Sequence, residues 1–197
     1  MPKSPKQKAA SRRRILDAAS RRLRQDGLAG ASVAEIMGAA GLTHGGFYAH
    51  FADKTELVGA ALGQAMAESR TSWTQGLDRL EPDEALRQIL GRYLSRAHRD
   101  ARGAGCPMAA LGSEVARAPE ATRRAFEEAF AATAAALAPR LGASNPDAKT
   151  RALGLIALCI GGLTLARMVE DPSLADAILL AARRLGLAAL PASPGAR

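Results

Sequence analysis

Aromatic residues are scarce in this chain: one Trp, two Tyr and four Phe make up 4% of 197 residues. With so few rings and so much Ala, Leu and Arg, a helical protein is favoured over a sheet-rich one. Only two cysteines, Cys106 and Cys159, are present, too few for a disulfide framework. The three histidines, His44, His50 and His98, show no metal-ligand spacing on a helix face, and no Gly-rich phosphate loop follows a strand. The neighbouring carboxylates Asp83-Glu84 and Glu127-Glu128 diverge on a helix, as solvated charges do. The expectation is therefore no catalytic residue, no metal and no cofactor. No apolar segment follows the basic N-terminus, and the longest uncharged apolar run, Ala152 to Ala166, is shorter than the roughly 20 residues that span a bilayer. A soluble cytoplasmic protein without a membrane partner is expected.

Positive charge is what the chain has in excess. The formal net charge is +8, which calls for an anionic partner. Nine cations (Lys3, Lys6, Lys8, Arg12, Arg13, Arg14, Arg21, Arg22 and Arg24) crowd residues 1–24 against a single acid, Asp17.

The stretch from Ser32 to Lys54 organises the rest. Ser32 precedes the apolar residues Val33, Ile36 and Met37, and Glu35 completes a capping-box pattern. Gly41 ends this short helix, and Thr43 is placed to cap a second one from His44 to Phe51. Two short helices joined by a tight Gly-containing turn form a helix-turn-helix. Phe47 and Phe51, four residues apart, anchor the second helix, leaving His44, Gly45, Gly46, Tyr48 and His50 to face outward. A basic N-terminal segment leading into such a motif is the electrostatic footprint of DNA binding.

The run Thr43-His44-Gly45-Gly46-Phe47-Tyr48-Ala49-His50-Phe51, followed by Asp53, Lys54 and Leu57, resembles the DNA-binding signature of the TetR family of bacterial transcriptional regulators. Ile15-Leu16-Asp17-Ala18-Ala19, Gly27, and Ser32-Val33 through Ala40-Gly41-Leu42 extend the resemblance over residues 12–60. It implies an all-α protein, with an N-terminal three-helix helix-turn-helix domain and a C-terminal helical ligand-binding and dimerisation domain. It implies three partners: double-stranded operator DNA, a small-molecule effector and a second copy of the chain. The function it implies is a repressor released from a near-palindromic operator by a small apolar effector, although the sign of regulation depends on where the operator lies. On the family pattern His44, Gly45 and Gly46 face base edges with Thr43 and Ser32 nearby, while Tyr48, His50 and Lys54 hold phosphates. A nonspecific architectural DNA-binding protein is the competing reading of the same basic surface.

Taken in order, residues 1–10 read as a flexible basic arm, 11–53 as the DNA-binding domain, 54–190 as the regulatory and dimerisation domain, and 191–197 as a disordered tail. The first helix is expected from Ser11 to Gln25, with Gly27 stopping it. Asp53 caps a long helix running towards Gln75. Leu86, Ile89, Leu90, Tyr93, Leu94 and Ala97 form one amphipathic stripe. A helix from Glu120 to Leu137 follows, then a turn at Ser144-Asn145-Pro146-Asp147. The helix from Ala148 to Glu170 is apolar nearly all round, with Gly154, Ala157 and Gly161 along one face, and a last helix carries Leu174, Ala177, Ile178, Ala181 and Leu185 in register. This gives about nine helices and no strand. Such an apolar helix would leave one face wet in a monomer, so a homodimer is expected.

The regulatory half offers one further motif. Gly105-Cys106-Pro107, with Met108 to Ala116 after it, resembles the TetR subgroup of NemR-like repressors, some of which sense electrophiles or oxidants through this cysteine. Pro107 at the first helical position puts Cys106 at the N-cap, where the helix dipole favours negative charge. A redox- or electrophile-sensing repressor acting through Cys106 is thus the alternative, against Cys106 as a small cap residue. Otherwise an apolar effector is expected between helices, with Met66, Trp73, Leu90, Tyr93, Leu94, Cys106, Met108, Leu111, Phe126, Phe130 and Met168 as candidate walls.

Overall fold

The computed structural model describes residues 4–30, 32–141 and 147–188, and among these there are nine α-helices and two short 3-10 segments with no strand. The expected tail at 191–197, the turn residues Ser144 to Pro146 and the start of the arm at Lys3 lie outside the described residues. The α-helices are α1 (Pro5–Gly30), α2 (Val33–Ala39), α3 (Lys54–Thr74), α4 (Pro82–Tyr93), α5 (Arg96–Asp100), α6 (Pro107–Val115), α7 (Glu120–Leu137), α8 (Ala148–Met168) and α9 (Pro172–Ala188). The 3-10 segments are His44–Ala49 and Ala138–Leu141. The chain forms two compact units, one of Met1–Ser69 with Arg102–Ala131, the other of Arg70–Ala101 with Ala132–Arg197.

In the first unit α1 begins earlier than the expected Ser11. Ser4 N–H donates to Gln7 Oε1 at 2.9 Å and Gln7 N–H donates to Ser4 Oγ at 3.3 Å, a capping box with Pro5 at the first helical position. Lys6 and Lys8 are therefore carried on a helix rather than on a flexible arm. Ile15, Ala18, Ala19 and Leu23 form its buried face. Gly27 interrupts the helical backbone at φ 81°, a left-handed conformation open to glycine. The Glu114 carboxylate of α6 takes the Leu28 N–H at 2.7 Å and fills the space a Cβ on Gly27 would need.

Arg24 on α1 is buried and donates to Ser20 O, Ser20 Oγ, the Gly105 carbonyl before α6, and Glu68 of α3 at 3.2 Å. A buried guanidinium is tolerated because its donors are met in this way. Leu57, Val58, Ala61, Leu62 and Ala65 of α3 are all buried, as the sequence pattern requires.

In the second unit the single stripe expected through Ala97 is broken. Leu94 takes φ −90° and ψ 56°, and Ser95 restarts a helix by accepting the His98 N–H on its hydroxyl. The phase resets at this break, so Ala97 is exposed while Leu86, Ile89, Leu90, Tyr93 and Leu94 are buried. α8 ends at Met168, two residues before the expected Glu170. It packs closely on α9: a Cβ on Gly162 would lie 2.8 Å from Ala182 Cβ. The buried residues of α9 are Ala175, Leu179 and Gly186, so the stripe Leu174, Ala177, Ile178, Ala181 and Leu185 is not the face that packs within the chain. Leu174 and Leu185 are 47% and 65% exposed, and Leu153, Leu165 and Met168 of α8 are exposed as well. Length and composition alone would allow α8 to cross a membrane. It nevertheless carries Lys149, Arg151 and Arg167, and its buried residues, among them Ala152, Ile156, Cys159, Leu163 and Ala166, belong to the packed interior of this unit.

Candidate nucleic-acid interface

The helix-turn-helix forms as its punctuation dictates. Ser32 Oγ accepts the Glu35 N–H at 3.2 Å and Glu35 Oε2 accepts the Ser32 N–H at 3.0 Å, the reciprocal capping box. The Ser32 backbone and side-chain hydrogen bonds hold the Glu35 carboxyl below its usual range, with Arg22 adding to the effect. That contribution to stability is present above the ordinary carboxylate range and is lost as pH falls through the lowered folded-state value. Ser32→Ala should cost about 1 kcal/mol, read as a drop in Tm at neutral pH, and the difference from the parent should shrink in acid once Glu35 is protonated. Ile36 and Met37 are the buried residues of α2, and Gly41 turns the chain at φ 65°.

The segment after the turn departs from expectation in one respect. His44–Ala49 is a 3-10 helix, and Thr43 sits at its N-cap without a side-chain hydrogen bond. Two adjacent glycines near the start weaken the helix. Phe47 and Phe51 are buried and their rings stack at 5.8 Å, so the anchor acts as the spacing implies. Tyr48 stands edge-on to Phe47 and is 72% exposed. Ser32, Thr43, His44 and Gly45 are exposed, while Gly46 and His50 are half-buried. α3 follows at once: Asp53 Oδ1 accepts the Glu56 N–H at 2.8 Å, the expected cap. Lys54 is half-buried and reaches the Ala29 carbonyl at 3.4 Å.

One cation is not where charge counting puts it. Arg12 donates to the His50 carbonyl at 2.5 Å, lies 4.2 Å from the Phe51 ring centroid and pairs with Glu56 at 3.7 Å. It binds α1 to the recognition segment and is spent inside the protein. Arg22 is engaged by Asp26 and Glu35. Lys6, Lys8, Arg13, Arg14 and Arg21 are exposed on α1, and among the described residues no acidic side chain is paired with them. These five are the cations left for an anionic partner.

The candidate effector residues fall in both units. Met66, Cys106, Met108, Leu111, Phe126 and Phe130 are in the first, and Trp73, Leu90, Tyr93, Leu94 and Met168 in the second. Met168 is 72% exposed at the end of α8 and is no wall of an interior site. Phe126 and Phe130 are half-buried and stack at 6.1 Å, whereas Met66, Met108 and Leu111 are fully buried. Cys106 occupies the N-cap of α6 with Pro107 after it, as expected, and is 2% exposed. Arg99, seven positions before it in the sequence, is held by Asp100 and Asp176 in the second unit.

In that unit His98 Nδ1 lies 2.8 Å from the Tyr93 carbonyl, and its ring stands edge-on to Tyr93 at 4.5 Å. Burial lowers its pKa; the hydrogen bond to Tyr93 opposes this and Arg167 adds to it. An unfolded imidazole titrates near 6.5 and takes its proton first, so stability is full above that pH and declines as pH falls towards the lower folded-state value. Tm should drop between pH 7.5 and 5.5, and His98→Gln should flatten that part of the profile.

With this geometry in hand, known proteins can be set beside it. Residues 15–61 match the bacterial regulatory proteins of the TetR family, and residues 82–178 match the C-terminal domain of LmrA/YxaF-like transcriptional regulators. The chain belongs to the TetR family. Curated proteins give no match. Among solved structures, the TetR-family chain superposes on the reduced form of NemR from E. coli with TM-score 0.79 and 20% identity, over 94% of this chain and 99% of that one. A TetR transcriptional regulator from Chloroflexus aurantiacus gives TM-score 0.77 at 23% identity, covering 93% and 95%. The FadR regulator of Bacillus subtilis, in complex with stearoyl-CoA, gives 0.68 at 15%, covering 91% and 99%. At these identities the likeness speaks for the fold alone. As a TetR-family regulator, this chain carries its helix-turn-helix within the N-terminal match and α4, α5, α6, α7 and α8 within the C-terminal one.

Proposed function

We propose that this TetR-family regulator is a homodimeric, cytoplasmic repressor that reads a near-palindromic operator and leaves it when a small apolar effector binds the regulatory half, with no catalytic activity of its own. The observation that carries the DNA-reading part is the recognition segment. Phe47 and Phe51 are buried while His44, Gly45 and Tyr48 are exposed, beside a capped α2 and an α1 with five exposed cations. His44 with the close-approach glycines Gly45 and Gly46 faces base edges, with Ser32 and Thr43 at the margin; Tyr48, His50 and Lys54 take phosphates. Two such segments in a dimer, about 34–36 Å apart, match one turn of duplex.

The dimer is supported by α8 and α9. Leu153, Leu165, Met168, Leu174, Leu180 and Leu185 are large apolar side chains left exposed, and Cβ atoms on Gly154 or Gly161 would meet nothing within 4 Å in one chain. An open apolar surface with small residues suits a second copy of the same helices. The electrophile-sensing alternative is less well supported, because a sensor thiol needs access to solvent and Cys106 is 2% exposed.

Fluorescence anisotropy at physiological salt, on DNA from the upstream intergenic region against scrambled DNA, tests the reading. Selective binding is expected. His44→Ala should lower the preference between sequences, while Tyr48→Phe should weaken all sites about equally. Equal affinity for both DNAs would replace this reading with a nonspecific architectural role. Loss of selective binding on treatment with N-ethylmaleimide, but not in Cys106→Ser, would restore the sensing alternative.

A further inference from the structure

The chain has a single tryptophan, Trp73, near the end of α3 and 5% exposed. Its indole N–H is buried and has no hydrogen-bond partner among the described residues. An indole nitrogen only donates, so no rearrangement of the proton can satisfy it. Buried donors are nearly always paired, and one left alone carries its full desolvation penalty. The ring is also fixed in place. Tyr93 lies against it with centroids 4.4 Å apart, and His98 holds Tyr93 edge-on at 4.5 Å while bonding the Tyr93 carbonyl. All three residues belong to the second unit, within 70–101.

We propose that the effector of this regulator is a mostly apolar molecule with one neutral hydrogen-bond acceptor, a ketone or ester oxygen, which takes the Trp73 indole N–H against the Tyr93 ring. The inference deepens the effector reading given above and rests on it. A rigid buried aromatic pair with one lone donor is the composition of a small-molecule site, whose few polar groups set orientation. A neutral acceptor suits the engaged cations of the same unit, among them Arg92, which donates to the Gln75 carbonyl at 2.9 Å, and Arg140, which donates to the Ala136 carbonyl and pairs with Asp78. Arg167 donates to the His98 and Arg99 carbonyls at 2.8 and 3.0 Å, and Arg99 is paired with Asp100 and Asp176. Their bonds are directed at backbone and carboxylates of the protein itself, so a carboxylate effector would enter beside Trp73 without a cation assigned to it.

The test uses two probes of nearly the same shape, 1-tetralone, which has a carbonyl oxygen, and tetralin, which lacks it. Binding to the full-length protein without DNA is followed by calorimetry and by the single indole N–H cross-peak in a 15N-labelled sample. Tetralone should bind about tenfold more tightly than tetralin, the worth of one ordinary hydrogen bond, and should move the indole peak downfield. Trp73→Phe keeps an apolar ring and removes the donor, and should bind both probes equally. An indole peak unmoved at saturating tetralone would overturn the proposal, as would a tetralone preference that survives in Trp73→Phe or the absence of binding by either probe. The cross-peak arm needs no variant, so it decides the matter even if Trp73→Phe fails to fold. Because no DNA is present, failure here leaves the operator reading standing, and failure of operator selectivity leaves this result intact.

Discussion

The double variant Leu165→Glu/Leu185→Glu should be a folded monomer that has lost operator affinity by about 100-fold or more. Both leucines are exposed, at 54% and 65%, so neither charge has to enter the interior of the chain. In a homodimer built on α8 and α9 the same carboxylates would be buried against apolar helices, twice over by symmetry, and an unpaired buried charge is strongly unfavourable. Operator affinity falls with the dimer because two linked half-sites bind far more tightly than one, by factors of about 10² to 10⁴. Sedimentation velocity reads the mass and anisotropy reads the affinity, while far-UV circular dichroism confirms that the helices remain. A variant that stays dimeric would place the interface elsewhere on the surface.

The second large effect lies where α8 meets α9 within the chain. Gly162→Leu should lower stability by on the order of 3 kcal/mol, read by chemical denaturation, because even its first carbon would lie 2.8 Å from Ala182 Cβ and 3.0 Å from a Leu94 methyl. The Leu94 methyl can swing aside, but Ala182 has no further rotamer, so α9 itself must shift. Gly91→Ala is the control. A Cβ there meets nothing within 4 Å, and replacing glycine inside α4 should instead stabilise by about 0.5–1 kcal/mol. A gain in both variants would show that helix propensity, not the close approach of α8 and α9, governs this glycine.

How far the chain was readable depended on whether the signal was local. The capping box of Ser32 and Glu35, the turn at Gly41, the Phe47 and Phe51 anchor and the Asp53 cap each involve residues within a few positions of one another, and each forms as read. Two misreadings were local as well. Ser4, Pro5 and Gln7 carry a capping pattern that the density of lysines obscured, and Ser95 marks a helix start inside a stripe that looked continuous. The stripe read on α9 is not the face that packs within the chain, which is Ala175, Leu179 and Gly186, since two apolar faces on one helix look alike until one of them is packed.

Nothing in the neighbourhood of Arg12, Arg24 or Glu114 announces their long-range bonds. Their partners, His50, Gly105 and Leu28, are 38, 81 and 86 positions away. Arg12 shows the cost of counting charges, because a cation held by a carbonyl, a ring and a carboxylate is no longer a general attractor of phosphate.

The pair Gly45 and Gly46 bears on how such a protein diverges from its relatives. In the free chain a Cβ on Gly45 meets nothing within 4 Å, and one on Gly46 meets only ordinary contacts, Met37 at 3.7 Å and Thr43 at 3.9 Å. A duplicated gene could therefore acquire alanine or serine at either position at no steric cost to the fold, gaining helix propensity while adding a new group to the surface proposed to meet the bases. The two copies could then drift to different operators while sharing one scaffold.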